Sequence, residues 1–350
     1  MTNKELIDLL ERQEYLRKEQ WIQLLSSWEE SDRAYAQEKA VAIAKKHFGN
    51  GIFLRGLIEF SNYCKNDCLY CGIRRSNKKV RRYRLTKKEI LASCQKGYKL
   101  GFRTFVLQSG EDPYYTDEII VDLIRAIKEA YPDCALTLSL GERSRQAYQD
   151  FFEAGTDRYL LRHETANPVH YATLHPPGME LETRLRCLRD LKEIGFQTGC
   201  GFMVGAPGQT AADLAEDFLF IQELAPHMIG IGPFIPHRDT PLGSKSPGAL
   251  ELTLFLLSLL RIGCKNVLLP STTALGTIHP YGLELGIQAG ANVVMFNLTP
   301  TRVRGDYLLY DNKICIGEEA EKGRVVLEKK INSIGYCLVE GRGDWEKRKA

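Results

Sequence analysis

Three cysteines stand close together in Ser61-Asn62-Tyr63-Cys64-Lys65-Asn66-Asp67-Cys68-Leu69-Tyr70-Cys71, spaced Cys-x3-Cys-x2-Cys. Thiolates are the soft ligands of zinc and of iron–sulfur clusters, and three of them in one short segment can converge on one metal centre if the chain loops around it. A structural zinc needs a fourth ligand, and the nearest histidine downstream is His163, about 90 residues on. A 4Fe-4S cluster held by three cysteines instead leaves one iron open to a ligand from outside, much as a catalytic zinc keeps an open position. The other cysteines, out of 10 in the chain, are scattered and read as small buried hydrophobes or surface residues.

The rest of the chain must fold so as to position that segment. Its 350 residues are 44% hydrophobic and 26% charged, which is ordinary for a globular protein and excludes disordered and collagen-like classes. A net charge of +3 is too small to imply nucleic acid. The local basic run Arg74, Arg75, Lys78, Lys79, Arg81, Arg82 and Arg84 reads as a solvated face or an anion-binding loop. Met1 to Arg12 is charged and carries no signal-peptide core, and the most apolar window, Leu250 to Leu260, is too short to span a bilayer and contains Glu251. The expectation is a cytoplasmic protein with no membrane and no nucleic-acid partner, its cysteines reduced.

Residues 1–50 have helical spacing, at Leu6, Leu9 and Leu10 and again over Ala34–His47, and Gly49-Asn50-Gly51 breaks the pattern. Apolar runs then alternate with amphipathic stretches. The runs Phe53–Phe60, Thr104–Gln108, Ala135–Leu140, Arg158–Leu161, Gln197–Val204, Met228–Gly232, Asn266–Leu269 and Ala291–Met295 have strand character. The stretches between them read as helices, several stopped by glycine, as at Gly101, Gly155, Gly195 and Gly290. Continuous apolar strands in βα units imply a parallel sheet covered on both faces, and eight such units predict a closed (β/α)8 TIM barrel over an open doubly wound sheet. The predicted organisation is an N-terminal helical extension over 1–50, a barrel over 51–300 and a C-terminal cap over 301–350, with a helix from about Glu318 to Ile334.

The cysteine motif, with aromatic Tyr70 before its last cysteine and a strand before its first, resembles that of the radical S-adenosylmethionine (SAM) superfamily. The resemblance implies one 4Fe-4S cluster on Cys64, Cys68 and Cys71, whose open iron is chelated by SAM. It places the methionine amino group against Gln108, Ser109, Gly110 and Glu111, which follow the second strand where the superfamily has a Gly-Gly-Glu element. It places ribose and carboxylate against Ser139, Arg162, Glu164 and Arg184, near the tops of the third and fourth strands. The adenine is expected beside the fifth-strand segment with Gly201, Met203 and Gly205, and Tyr70, Pro233, Ile235 and Met295 are further cofactor contacts it implies. Functional residues of barrels lie at the C-terminal strand ends, as most of these would. His163, His170, His175 and His237 are read as structural or surface residues.

Longer blocks narrow the resemblance. Leu107–Tyr115, Leu138–Glu142, Arg162–Pro168 and Gly230–His237 are similar to the HydE family of FeFe-hydrogenase maturases, and the likeness runs on to Gly341-Arg342-Gly343-Asp344-Trp345. It implies a small-molecule substrate, a cysteine-bound iron carbonyl cyanide complex, held in a polar cavity by Arg158, Ser271, Thr272, Thr273, Tyr307 and Tyr310. A reductant protein and other hydrogenase maturases are the partners it implies. Some members carry a second cluster on Cys-x7-Cys-x2-Cys; here Cys315 is followed at those positions by Gly323 and Val326, so a single cluster is expected. The alternatives are a radical SAM mutase or synthase on an organic substrate, like methylornithine synthase or biotin synthase, and a non-catalytic zinc or iron–sulfur protein.

Overall fold

The computed structural model describes residues 1–314 and 320–346. Three helices come first: α1 (Asn3–Gln13), α2 (Lys18–Ser27) and α3 (Glu30–Phe48). Then follow β1 (Gly51–Ser61), α4 (Lys87–Lys99), β2 (Thr104–Ser109), α5 (Asp117–Ala130), β3 (Ala135–Ser139), α6 (Arg145–Glu153) and β4 (Arg158–Leu160). The middle of the chain holds α7 (Pro168–Leu174), α8 (Leu181–Ile194), β5 (Gln197–Cys200), β6 (Met203–Val204), α9 (Ala211–Leu224), β7 (Met228–Ile229) and β8 (Gly232–Pro233). The last elements are α10 (Leu250–Gly263), β9 (Pro270–Ser271), α11 (Thr273–Ile278), α12 (Gly282–Gln288), β10 (Val293–Asn297), α13 (Thr301–Arg304), α14 (Ala320–Ser333) and β11 (Cys337–Val339).

The main sheet runs β7-β5-β4-β3-β2-β1-β10-β9 with every pair parallel, and a parallel bridge between Met228 and Leu268 draws its two edges together. The eight strands form a nearly closed (β/α)8 barrel ringed by helices. The helices that ring the barrel turn apolar faces inward, and local chemistry sets their starts. At α4 the Thr86 hydroxyl accepts from Glu89 N–H while the Glu89 carboxylate accepts from Thr86 N–H, a capping box.

The α10 helix is buried almost all round, which a helix on the outside of a barrel is not unless something covers it. That cover is the N-terminal extension. Helix α3 packs along α10, with Trp28 stacked on Phe255, and α2 lies on α9, with Trp21 on Phe218.

Three strands differ most from their expected extents, the others by two residues or fewer at an end. The run Gln197–Val204 divides into β5 and β6, and Met228–Gly232 into β7 and β8; β6 pairs with β8 in a separate small sheet. The break falls where Gly201 meets Gly230, so closely that a Cβ on Gly201 would lie 2.0 Å from the Gly230 carbonyl. The expected strand Asn266–Leu269 is mostly loop, and the paired residues are Pro270 and Ser271. Side chains satisfy its backbone instead: Arg261 donates to the Lys265 and Val267 carbonyls, and Asn292 accepts from Leu269 N–H.

After α14, β11 adds to the start of β1. Residues 341–346 then fold under the barrel, where Arg158 holds the Arg342 carbonyl and the Asp344 carboxylate, and Trp345 packs against His227. Cys315 and Glu318, singled out in the sequence, lie outside the described residues.

Candidate functional site

Strand β1 delivers the chain to the top of the barrel at Ser61, and the cysteine loop begins at once. Arg82 closes this loop by donating to the carbonyls of Asn62, Ile73, Arg74 and Asn77. Arg75 N–H reaches the Asn66 carbonyl at 2.9 Å and Gly72 N–H the Leu309 carbonyl at 2.8 Å, so both ends of the loop are tied down. Gly110, just past β2, lies against it: a Cβ there would sit 2.2 Å from the Tyr63 carbonyl and 2.8 Å from Cys64 Cβ.

Cys64, Cys68 and Cys71 are half-buried and free. Burial pushes all three thiols up, Cys68 to about 12, so each stays protonated until a metal takes the proton's place. Among the described residues no group of three His, Cys, Asp or Glu side chains is arranged to hold a single metal ion. A cubane, which spreads its ligand sulfurs farther apart than one ion does, remains compatible with the loop.

Beside the loop the barrel encloses a cavity of about 250 Å³. Of the expected SAM contacts, Tyr70, Gln108, Arg162, Glu164, Met203, Pro233, Ile235 and Met295 line it, together with Cys71. Thr272, Thr273 and Tyr310, expected on the substrate side, line it as well. The Arg162 and Glu164 side chains approach to 3.1 Å, yet their angles miss a hydrogen bond. Arg162 Nε and Nη2, Glu164 Oε2, Glu111 Oε2 and Thr272 Oγ1 are buried with no hydrogen-bond partner. Glu164 holds a left-handed backbone, φ 66°, which is uncommon for a residue with a side chain and clusters at functional sites. Two bonds hold it there, Glu164 N–H to the Gly201 carbonyl and Met203 N–H to the Glu164 carbonyl.

Other expected residues lie elsewhere. Arg184 pairs with Glu142 at 2.7 Å and donates to the Arg162 carbonyl, behind the cavity wall. Glu111 is buried between Arg184, at 3.9 Å, and Lys65, at 3.2 Å. Ser109 and Ser139 end their strands just outside the lining. Gly201 and Gly205 are accounted for by backbone packing; a Cβ on Gly205 would lie 2.6 Å from Gly248 Cα. Tyr307 is buried behind Gln108, whose amide donates to its hydroxyl at 3.3 Å. Arg158 does not line the cavity. It sits on β4 two residues before Leu160, one layer lower, because inward-facing residues on a strand alternate.

That lower layer holds a group the sequence reading passed over. Arg55 lies on β1 two residues before Leu57, with Nε and Nη2 unpartnered and Nη1 only 3.0 Å from Met228 Sδ. Burial, reinforced by Arg158, pushes its guanidinium well below the usual range. Arg55 and Arg158 thus both face the Asp344 carboxylate, which Arg342 also holds at 2.6 Å, and Asp157 acts on Arg158 from farther off. Glu59 and Lys313 were also passed over. They form a buried ion pair on the cavity wall, and Asn297 donates to the second Glu59 oxygen at 2.9 Å. Charged residues inside a mostly apolar β1 were the available signal for Arg55 and Glu59; Lys313 lies in an irregular segment without periodicity.

The histidines have structural partners. His163 sits between Arg162 and Glu164 but points away, with Nε2 3.2 Å from Asp217 and Nδ1 facing Gly201 N–H. Burial lowers it to about 3, so it is neutral.

Comparison with known proteins agrees with this architecture. Residues 58–221 match the radical SAM superfamily. The chain is 46% identical to the [FeFe] hydrogenase maturase subunit HydE of Thermotoga maritima, over all of this chain and 98% of that protein. It is 28% identical to 3-methylornithine synthase of Methanosarcina barkeri, over 89% of this chain and 86% of that one. Among solved structures, methylornithine synthase (PylB) superposes with a TM-score of 0.83 at 26% identity, covering 95% of this chain and 97% of that one. Radical SAM enzymes work with a 4Fe-4S cluster and SAM, and these are the cofactors of this enzyme. The chain belongs to the HydE family of the radical SAM superfamily.

Proposed function

We propose that Cys64, Cys68 and Cys71 hold the cluster, that the cavity beside them takes SAM, and that the enzyme acts on a small anionic sulfur compound during assembly of the diiron subcluster of FeFe-hydrogenase. The relative named a hydrogenase maturase supports the pathway, since the likeness spans the whole chain. Bound there, the cluster supplies the electron that cleaves the SAM sulfonium to a 5′-deoxyadenosyl radical.

The chain's own groups suit that cargo. Arg162 offers the SAM carboxylate two nitrogens that make no hydrogen bond, and Glu164, its ion-pair partner at 3.1 Å, offers an oxygen that makes none to the ribose hydroxyls or the amino group. Gln108 lies within the same wall, its amide held by Tyr307, and Tyr70 and Met203 give the adenine apolar surface. Gly110 lets the second strand approach the cysteine loop. The roles assigned to Ser109, Glu111, Ser139, Arg184, Gly201 and Gly205 are supporting ones, fixing the walls that the cofactors touch.

The substrate's charge is carried by one observation. Arg55 and Arg158 are both buried beneath the cavity floor, the Asp344 carboxylate near them is shared with Arg342, and Arg55 keeps two donors unsatisfied. A buried guanidinium without an anion is costly, so the layer is matched to a negative ligand entering from above. This favours an anionic complex, such as a cysteine-bound iron carbonyl cyanide species, over the cationic amino acid on which a mutase of the methylornithine type would act. Thr272, Thr273 and Tyr310 line the cavity where such a complex would rest. An anaerobic assay of the reconstituted enzyme with SAM, dithionite and that complex tests the reading. Consumption of the complex with formation of a 5′-deoxyadenosine-containing product supports it; SAM cleavage with the complex untouched defeats it.

A further inference from the structure

Leu69 and Tyr70, the two residues between Cys68 and Cys71, take their places from the end of α7, at Leu174 and His175. Leu69 N–H donates to the Leu174 carbonyl at 2.9 Å, and the Leu69 carbonyl accepts from Leu242 N–H at 3.2 Å. Tyr70 packs its ring on the apolar cluster of Leu174, Met203, Ala206 and Phe234. Its hydroxyl lies 3.4 Å from His175 Nε2, and the two rings meet edge to face with centroids 5.6 Å apart.

His175 is itself fixed. It caps α7, with its N–H and its Nδ1 both on the Tyr171 carbonyl, at 3.1 Å and 3.0 Å. The Tyr171 ring stacks on the imidazole with centroids 3.8 Å apart. A carbonyl can only accept, so Nδ1 carries the ring proton. The side chain is buried, and burial lowers it to about 3, so the ring is neutral and holds that one proton. Nε2 is therefore a bare acceptor, and the Tyr70 hydroxyl is the donor in the pair. Turning the imidazole would break the Nδ1 bond and the stack together.

We propose that His175 is a positioning residue for SAM: by accepting from the Tyr70 hydroxyl it holds that ring as the cavity wall on which the adenine rests, and it touches neither cofactor itself. The inference rests on the cluster and SAM reading above. Tyr70 lines the cavity beside Cys71, and His175 stands behind it, outside the lining. A ring packed on one side is free to tilt. A bond at the hydroxyl, the point farthest from the backbone, removes that freedom before the adenine arrives and so lowers the ordering cost of binding. The Leu69–Leu174 bond runs between backbones and survives changes of the His175 side chain. Side-chain variants thus separate the hold on Tyr70 from the shape of the cysteine loop.

The test uses the reconstituted holoenzyme. Affinity for labelled SAM is measured by equilibrium dialysis. Affinity for L-methionine, which carries the amino and carboxylate groups but no adenine, is measured by calorimetry. Iron content and the cluster absorbance are recorded alongside. His175→Leu and Tyr70→Phe are each expected to bind SAM about 3- to 10-fold more weakly, the range of one neutral hydrogen bond. The double variant should bind no more weakly than the weaker single one, since both changes remove one contact. His175→Gln keeps an acceptor near the position of Nε2 and should recover most of the affinity. L-methionine binding and iron content should stay at wild-type values throughout. Additive losses in the double variant overturn the proposal, as does wild-type SAM affinity in either single variant. An equal fall in L-methionine affinity, or a fall in iron content, also overturns it and makes His175 a support of the cysteine loop alone. If His175→Leu fails to fold, His175→Gln and Tyr70→Phe decide. Full SAM affinity in Tyr70→Phe overturns the proposal, and so does a loss with His175→Gln that persists in the Tyr70→Phe background. Failure of the wild type to assemble a cluster would instead indict the reading on which the proposal rests.

Discussion

The guanidinium of Arg162 stands 3.1 Å from the Glu164 carboxylate, and the two do not hydrogen-bond to each other. Both turn into the cavity beside Cys71, Glu164 from a left-handed backbone that the Gly201 and Met203 bonds enforce. Buried charged atoms left unsatisfied cost free energy unless a ligand completes them. Replacing Arg162 or Glu164 with alanine should therefore weaken SAM binding by roughly 10- to 100-fold, the loss of one charge-assisted hydrogen bond at about 1.5–3 kcal/mol. Equilibrium dialysis with labelled SAM on the reconstituted protein measures this. Unchanged affinity in both variants would place SAM elsewhere.

The cysteine loop permits a sharper separation of cofactor from fold. Cys68→Ala should remove the absorbance band near 400 nm and SAM cleavage while leaving the circular dichroism spectrum of the barrel intact. Gly110→Ala should impair cluster assembly without touching a ligand, because its methyl would press on the Tyr63 carbonyl at 2.2 Å and shift the loop. The wild type should hold about four irons per chain. About eight would mean a second cluster, for which Gly323 and Val326 offer no thiol.

Most of the barrel was legible because its signals are local. The helices Lys87–Lys99, Asp117–Ala130 and Ala211–Leu224 fill stretches between the strand runs that read as helical, each opened by a threonine cap. The cysteine loop was legible because its spacing is short. What escaped depended on contacts far apart in sequence. Nothing near Gly201 announces Gly230, whose carbonyl breaks a strand there into two. Nothing near Arg158 announces Asp344, the carboxylate that pairs with it at the base of the barrel. Lys313 has no pattern of its own and gains meaning only from Glu59, on the far side of the chain. The N-terminal helices were readable as helices, but their task, covering the apolar outer face of α10, was not.

The Glu59–Lys313 pair should behave as a buried couple. Both side chains are almost wholly shielded, and Asn297 and the Tyr307 carbonyl complete their bonding. Glu59→Gln or Lys313→Met alone leaves one buried charge uncompensated and is expected to lower stability by about 3–5 kcal/mol. The double replacement should recover most of that loss, since desolvating the pair offsets much of its attraction. Urea denaturation of the four proteins gives the coupling energy, and additive losses would mean that the two charges are stabilised independently.

His227 gives the fold a dependence on acid that can be isolated. Its Nδ1 accepts from Thr198 N–H at 2.9 Å beside the Trp345 ring, and burial, aided by Lys192, lowers it to about 4. Protonation would place a donor against the Thr198 donor. The unfolded chain takes up a proton near pH 6.5 and the folded chain only near 4, so the unfolded state binds more protons between those values. Stability should therefore be full above about pH 6.5 and fall as pH drops toward 4, by about 1–2 kcal/mol once solvent screening of a half-buried ring is allowed for. His227→Gln keeps an acceptor near Thr198 and cannot charge, so its urea midpoint should decline less over the same interval. Parallel declines for wild type and variant would assign the acid sensitivity to other groups, the deeper His163 and His175 among them, both lowered to about 3 by burial.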